Sequence, residues 1–299
     1  MINFEESNKA LWDELTDVHI KSYGVDKFLN GQSTLDEIQL RDLGNVRGKT
    51  MLHLQCHFGL DTLSWAREGA VVTGVDFVEK AIDYANKLKE KAGLNARFIC
   101  SNIYDLEKSL NEQFDIVYTS QGVLCWLKDL KEWARLIHRF LKPGGTFYIM
   151  ETHPIANIFD YRQKGMNIGT QPYFHNTEPI ICEDNDYSDP THVNKNPSYE
   201  WNWSLSDIFN ALIDAGLTIE SFHEYGKCFF KAFPDMVKID DYWWVLPGYE
   251  DKMPMTFTIR AGKKWRIESI DYVRPDIFLQ RNVRFGRCSN SSKGNELRV

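Results

Sequence analysis

MLHLQCHFGLDTLSWAREGAVVTGVDF, running from Met51 to Phe77, decides the fold. TMLHLQC, from Thr50, is rich in apolar and alternating positions and reads as a strand. Gly59 interrupts it, Leu60 to Glu68 reads as a helix, and Ala70 to Phe77 as the next strand, ending in Asp76, 17 residues after that glycine. In nucleotide-binding sheets the first turn brings backbone close to the ligand at a helix N-terminus. An acidic residue about 20 residues on then accepts hydrogen bonds from ribose hydroxyls. The spacing fits a ligand with an adenosine half.

The same rhythm extends downstream. Lys80 to Lys91 reads as a helix, ARFIC as a strand, Asp105 to Leu110 as a turn or short helix, FDIVYTS as a strand and Leu130 to Leu141 as a helix. LKPGG then stops the helix with Pro and Gly, and TFYIMET follows as a strand. Continuous apolar strands such as FDIVY imply burial on both faces, so the fold class is α/β with a doubly wound, mostly parallel sheet. Upstream, Glu6 to Ile20 carries Leu11, Trp12, Leu15 and Val18 at helical spacing, and a short helix is expected around Ser33 to Leu40.

From His153 to about Ser198 the alternation stops, over a stretch too long for a plain strand-to-helix connection. It resumes with a helix from Ser204, a plausible N-cap, to Ala215, before Gly216. LTIESFHEY and MTFTIRA, from Met255, are the closing strands. The expected organisation is an N-terminal helical cap (1–45), a cofactor-binding domain (46–152 and 200–263), an inserted substrate lid (153–199) and a basic C-terminal tail (264–299).

The 299 residues are 43% hydrophobic and 26% charged, which suits a globular protein with a sizeable core. Lys and Arg total 35 against 42 Asp and Glu, a net charge of -7 that argues against nucleic acid or an anionic membrane as partner. The charge is uneven: the tail from Lys264 holds eight basic and four acidic residues, leaving -11 for the first 263. Six scattered cysteines without a C-x-x-C pair, no apolar run of membrane-spanning length and an N-terminus unlike a signal peptide lead to the expectation of a reduced, cytoplasmic protein.

The segment at 51–77, FDIVYTSQGVLCWLKDL and LKPGGTFYIMET together resemble, in order and separation, the class I S-adenosylmethionine-dependent methyltransferases. The likeness is to a bacterial subgroup of small-molecule type whose first loop reads LHLQCHFG, and it covers roughly residues 8 to 263. It implies a seven-stranded Rossmann-like sheet with an antiparallel last strand, S-adenosyl-L-methionine as cofactor and a small-molecule methyl acceptor. By the resemblance, Gln55, Cys56 and Gly59 border the methionine part, Asp76 holds the ribose, and Phe77 lies against the adenine. Asn102 and Ile103 stand beside the adenine, Ser120 offers its carbonyl to the ammonium, and Gln121 faces the reaction site. LKPGG is structural, the turn before the fifth strand.

One departure stands out. Most of the family has D-x-G-x-G-x-G in the first loop, whereas His53, Gln55 and His57 occupy the first three of those positions and only Gly59 remains. Gln and His lack glycine's freedom at positive φ, so the loop is expected to follow a backbone path that they tolerate. The Gln55 amide or backbone carbonyls could replace the lost carboxylate contacts. His53 and His57 straddle a strand-to-loop junction without the H-E-x-x-H pattern, so no metal is expected there.

Methyl transfer is an in-line displacement on an activated donor, so the acceptor must be aligned, water excluded and, for a hydroxyl or ammonium, a proton removed. His19 and Tyr23, on the leading helix, could line the methyl site, with packing on the sheet as the alternative. His153 is a candidate general base at the sheet's carboxyl edge, because its ordinary pKa lies near neutrality, with a structural loop histidine as the equal alternative. Tyr199, Trp201 and Trp203 form one aromatic wall if YEWNWSLSD is extended, or else the core of the lid. The acidic run CEDNDYSD (Glu183, Asp184, Asp186, Asp189) could attract a cation or lie solvated. Two other functions share these features: an NAD(P)-type Rossmann oxidoreductase and a non-catalytic cofactor-binding protein.

Overall fold

A computed structural model describes residues 3–183, 185–189 and 191–265. The basic tail beyond Trp265 lies outside the described residues, as does Asp184 of the acidic run. At the centre is a seven-stranded sheet of β1 (Thr50–Leu54), β2 (Val71–Asp76), β3 (Ala96–Cys100), β4 (Phe114–Thr119), β5 (Leu141–Thr152), β6 (Leu217–Tyr225) and β7 (Thr256–Lys263). The order across it is β3-β2-β1-β4-β5-β7-β6. The first five strands pair in parallel, and β7 runs antiparallel between β5 and β6.

Strand alternation sorts the apolar residues into two cores. Leu52 and Leu54 face a layer that includes α6 (Leu130–Phe140) and α7 (Leu205–Asp214). Met51 and Val72 face the other layer, with α3 (Glu37–Leu43), α4 (Leu60–Arg67) and α5 (Glu79–Ala92). Burial on both faces explains the unbroken apolar runs. In α6, Leu130, Trp133, Ala134, Ile137 and Phe140 repeat at helical spacing and are buried, and Asp129 caps the first turn by accepting from the Glu132 N–H.

Three boundaries differ from the sequence reading. The expected helix from Ser33 begins instead at Glu37, because Asp36 and Gln39 form a reciprocal capping box there. A further short helix, Val25–Leu29, not expected from the sequence, follows the left-handed Gly24. LKPGG is not a turn ahead of β5 but a bulge inside it: Leu141 pairs with Phe114, and the next partner of β4 is Thr146, opposite Ile116. Gly145 permits this, since a Cβ there would lie 2.9 Å from the Lys142 carbonyl oxygen. Lys142 Nζ fixes the bulge by donating to Asp115 Oδ1 at 2.9 Å.

Above the carboxyl ends of the strands, α1 (Phe4–Ser22) and the segment after β5 are tied together. The Asn8 side chain pairs with both backbone groups of Tyr199, each bond 2.8 Å. Ser7 donates to the Pro197 carbonyl at 3.1 Å, and His192 and Glu14 meet at 2.8 Å. Ile180–Cys182 and Ser198–Glu200 form an antiparallel ribbon in this layer. Residues between β6 and β7, which the sequence reading left without structure, hold a small three-stranded sheet over an apolar cluster that includes Cys228, Phe233 and Met255.

His53 locks β1 to its neighbours. Its Nδ1 lies 2.7 Å from Thr62 Oγ1 on α4, and its Nε2 lies 3.0 Å from Ser120 Oγ just after β4. Burial pushes its pKa down to about 3. An unfolded chain takes up this proton near pH 6.5 while the folded chain refuses it, so the contribution is complete above 6.5 and is lost as pH falls toward 3. Between pH 7 and 5, urea unfolding of the native protein should lose about 2 kcal/mol more than that of His53→Gln; equal losses would show that His53 does not resist protonation. Gly59 meets the Phe98 ring, since a Cβ would lie 2.6 Å from its Cε1 at a φ of +78°. Gly59→Ala should therefore destabilise the fold by about 1–3 kcal/mol in the same assay.

Candidate active site

A cavity of about 1550 Å³ opens at the carboxyl edge of the parallel strands. It exceeds the roughly 1,000 Å³ upper range of single small-ligand pockets, which leaves room for two ligands. Its floor is the loop after β1. Here the expectation of a tolerant backbone path fails: Gln55 and His57 both adopt left-handed conformations, with φ of +55° and +50°. Each costs about 1–2 kcal/mol relative to glycine's freedom. Tertiary bonds hold the path. The Cys56 N–H donates to the Val75 carbonyl at 2.9 Å, the His57 N–H to Asp76 Oδ2 at 2.8 Å, and Gln55 Nε2 to the Val123 carbonyl at 3.1 Å.

Asp76 thus joins the ends of β1 and β2. Its other oxygen accepts from the Val78 N–H at 3.0 Å. Burial raises its pKa to about 6, against the lowering effect of these backbone donors. The Phe77 backbone is a further donor, and a carboxylate with about four acceptor positions keeps one for a ligand. Gln55 Oε1 is buried, lies in the cavity loop and has no hydrogen-bond partner among the described residues. An orphaned acceptor of this kind suits a ligand N–H group. Cys56 is buried, with Sγ packed where a Cβ on Gly74 would come within 2.9 Å.

The other residues expected around a cofactor also meet here. Phe77, Asn102, Ile103, Ser120 and Gln121 all line the cavity. Asn102 accepts from the Tyr104 N–H at 3.0 Å and donates to Glu5 of α1 at 3.1 Å, so its amide is engaged on both sides. Gln121 donates to Met150 Sδ at 3.2 Å and to the Tyr242 hydroxyl. The turn that follows is pinned by the buried Glu151, which accepts from the N–H groups of Gly122 at 2.8 Å and Val123 at 2.7 Å. Burial raises the Glu151 pKa, opposed by those donors.

Of the three proposed acceptor-site residues, Tyr23 lines the cavity, while His19 is fully buried beneath it and stacks on Tyr23 with ring centroids 4.4 Å apart. His153 takes the structural alternative and not the role of general base. It is buried, its Nδ1 accepts from the Ile155 N–H at 3.1 Å, and its Nε2 lies 2.9 Å from Glu224. It caps a short turn and is not part of the cavity lining.

The aromatic wall divides. Tyr199 is buried against Phe4, centroids 4.9 Å apart, whereas Trp201 and Trp203 line the cavity and Trp203 stacks on His175 at 3.7 Å. Asp186, from the acidic run, is buried and lies 3.0 Å from His19 Nε2. Burial would raise its pKa, but hydrogen bonds from His19 and Ser188 outweigh it and hold the carboxyl at about 2.

Among the lining residues that escaped sequence reasoning are Asp61 and Tyr242. Asp61 accepts from Thr34 Oγ1 at 2.6 Å, and burial raises its pKa. Its signal was its place two residues after Gly59, which reads equally as a carboxylate in a first helical turn. Tyr242, far away in sequence, had none.

Residues 52–149 match the family model described as a methyltransferase domain. The ubiquinone biosynthesis O-methyltransferase of Pseudomonas syringae pv. tomato is 32% identical over 38% of this chain and 50% of the relative. That of Coxiella burnetii is 34% identical over 34% of this chain and 43% of the relative. The chain therefore spans about half the length of these curated relatives. Among solved structures, an S-adenosylmethionine-dependent methyltransferase from Clostridium acetobutylicum superposes with a TM-score of 0.53 at 15% identity, covering 85% of this chain and 99% of that one. One from Mesorhizobium loti gives 0.51 at 22% identity, covering 79% and 100%. These two establish likeness of fold. Residues 52–149, from β1 to β5, thus match a methyltransferase domain, and the chain shares its fold with S-adenosylmethionine-dependent methyltransferases of known structure.

Proposed function

We propose that this chain is an S-adenosylmethionine-dependent methyltransferase acting on a small molecule. The observation that carries the reading is the convergence, in one cavity, of the ionisable Asp76 at the end of β2 and the unpartnered Gln55 Oε1 in the left-handed loop after β1. The names of the curated relatives support an oxygen as acceptor atom.

The residues present suit the cofactor. Asp76 has a free acceptor position for the ribose hydroxyls, Phe77 and Ile103 offer apolar surface for adenine, and Asn102 offers polar groups at its edge. Gln55, Cys56, Gly59 and Ser120 border the methionine end, where Gln55 Oε1 would accept from the ammonium, and Gln121 faces the acceptor side. When bound, S-adenosylmethionine supplies a methyl group activated by its sulfonium. The chain's own work is then alignment and exclusion of water. Trp12, Tyr23, Trp201 and Trp203, from α1 and the segment after β5, line the remaining space and give a small acceptor an apolar, water-poor setting. We assign the segment 153–199 as the substrate lid and 1–45 as the helical cap over a cytoplasmic enzyme's cofactor domain. Among the described residues no helix is long and apolar enough to cross a membrane.

Isothermal titration should detect S-adenosylhomocysteine binding and none of NAD; the reverse pattern would favour the oxidoreductase. Asp76→Ala should weaken S-adenosylhomocysteine by about 1–3 kcal/mol, and unchanged affinity would misplace the ribose. The ionised carboxylate accepts without donating, so affinity should be full above about pH 6 and decline as pH falls through the Asp76 pKa. Asp76→Asn should lack that decline. A wild-type affinity flat across this range would show that the ribose does not read the Asp76 charge.

A further inference from the structure

Two buried polar side chains, Asp186 and His19, and the part-buried His57, from separate parts of the chain, form a line into the cavity. Asp186 Oδ2 lies 3.0 Å from His19 Nε2, and His19 Nδ1 lies 3.1 Å from His57 Nε2. Asp186 is itself oriented, since its Oδ1 accepts from the Ser188 N–H at 2.8 Å and the Asp189 N–H at 3.2 Å. Hydrogen-bonding rules set the protons along this line. An ionised carboxylate only accepts, so His19 Nε2 must carry the proton. In the neutral ring, Nδ1 is then the acceptor, so His57 Nε2 must donate to it. That leaves His57 Nδ1 unprotonated. This nitrogen has no partner among the described residues, it is not a sealed buried atom, and its ring lines the cavity. The left-handed backbone at His57, with its N–H tied to Asp76, fixes where the ring stands.

We infer that His57 Nδ1 is the proton acceptor presented to the methyl acceptor, and that Asp186, through His19, is the positioning group that selects its tautomer. The inference deepens the methyltransferase reading and rests on it. In the step, the acceptor's O–H bond breaks toward His57 Nδ1 and the oxygen pair forms the bond to the methyl carbon. The carbon–sulfur bond breaks with its pair kept by sulfur. His57 then holds the proton as an imidazolium whose Nε2–H still donates to His19, backed by the Asp186 charge. His19, fully buried, reaches no ligand and acts through His57. Burial pushes the His57 pKa well below its ordinary value, which keeps the lone pair available at neutral pH. Because Asp186 lies after β5 and His19 on α1, the acceptor is correctly set only when those two parts meet.

Imidazole ¹⁵N spectra of histidine-labelled full-length protein test the arrangement without knowledge of the acceptor. Wild type should show His57 protonated at Nε2 and bare at Nδ1. In Asp186→Asn the amide can donate to His19 Nε2, which reverses both bonds and moves the His57 proton to Nδ1. Diethylpyrocarbonate, which acylates unprotonated accessible imidazole nitrogen, should modify His57 in wild type, several-fold more slowly in Asp186→Asn, and as in wild type in Asp186→Glu. A wild-type His57 protonated at Nδ1, an unaltered tautomer in Asp186→Asn, or a His57 inert to the reagent would each overturn the inference. Titration of wild type with S-adenosylhomocysteine in the same preparation separates the two ideas: its failure removes the methyltransferase reading, while a wrong tautomer with intact binding removes only the role of His57.

Discussion

The Asp76 carboxylate, accepting from the backbone of His57 on one side and of Val78 on the other, is the constraint on which the site depends. It draws the loop after β1 against the end of β2. It holds His57 in a conformation that only glycine adopts without cost, and it spans the ends of two adjacent parallel strands. Without it, about 2–4 kcal/mol of backbone strain at Gln55 and His57 would favour a relaxed loop. Asp76 also lines the cavity, so under the proposed function one group would serve both the fold and the ligand.

The loop departs from the glycine-rich pattern for a reason visible in the structure. Each non-glycine residue makes a contact that glycine could not. His53 bonds Thr62 and Ser120, Gln55 reaches the Val123 carbonyl, and His57 reaches His19. The strained backbone is thus coupled to side chains that tie β1 to β4, to α4 and to the layer above the sheet. Strain held by such surrounding contacts is a feature of functional sites.

The sheet was legible because its signals are local. Apolar strands, helical stripes and the Asp76 spacing each lie within a few residues, and all seven main strands fall where periodicity places them. LKPGG misled because Pro and Gly mark both a turn and a bulge, and the difference lies in pairing with β4, which no local pattern records. The residues bordering the expected cofactor likewise lie on strand ends, where parallel topology gathers them.

What the sequence did not disclose depends on long-range meetings. His19 and Asp186 stand 167 positions apart, so neither Asp186 in its acidic run nor His19 on its helix advertised the other. His153, with a favourable position and ordinary pKa, turned out to be occupied by Glu224 and the Ile155 N–H. The central claim is that the loop after β1 and Asp76 jointly hold the adenosyl cofactor. A crystal structure grown with S-adenosylhomocysteine tests this most directly. Ribose hydroxyls on Asp76 and the amino-acid end beside Gln55 are the expected result; an adenosyl group elsewhere, or a loop relaxed out of its left-handed path on binding, would contradict it.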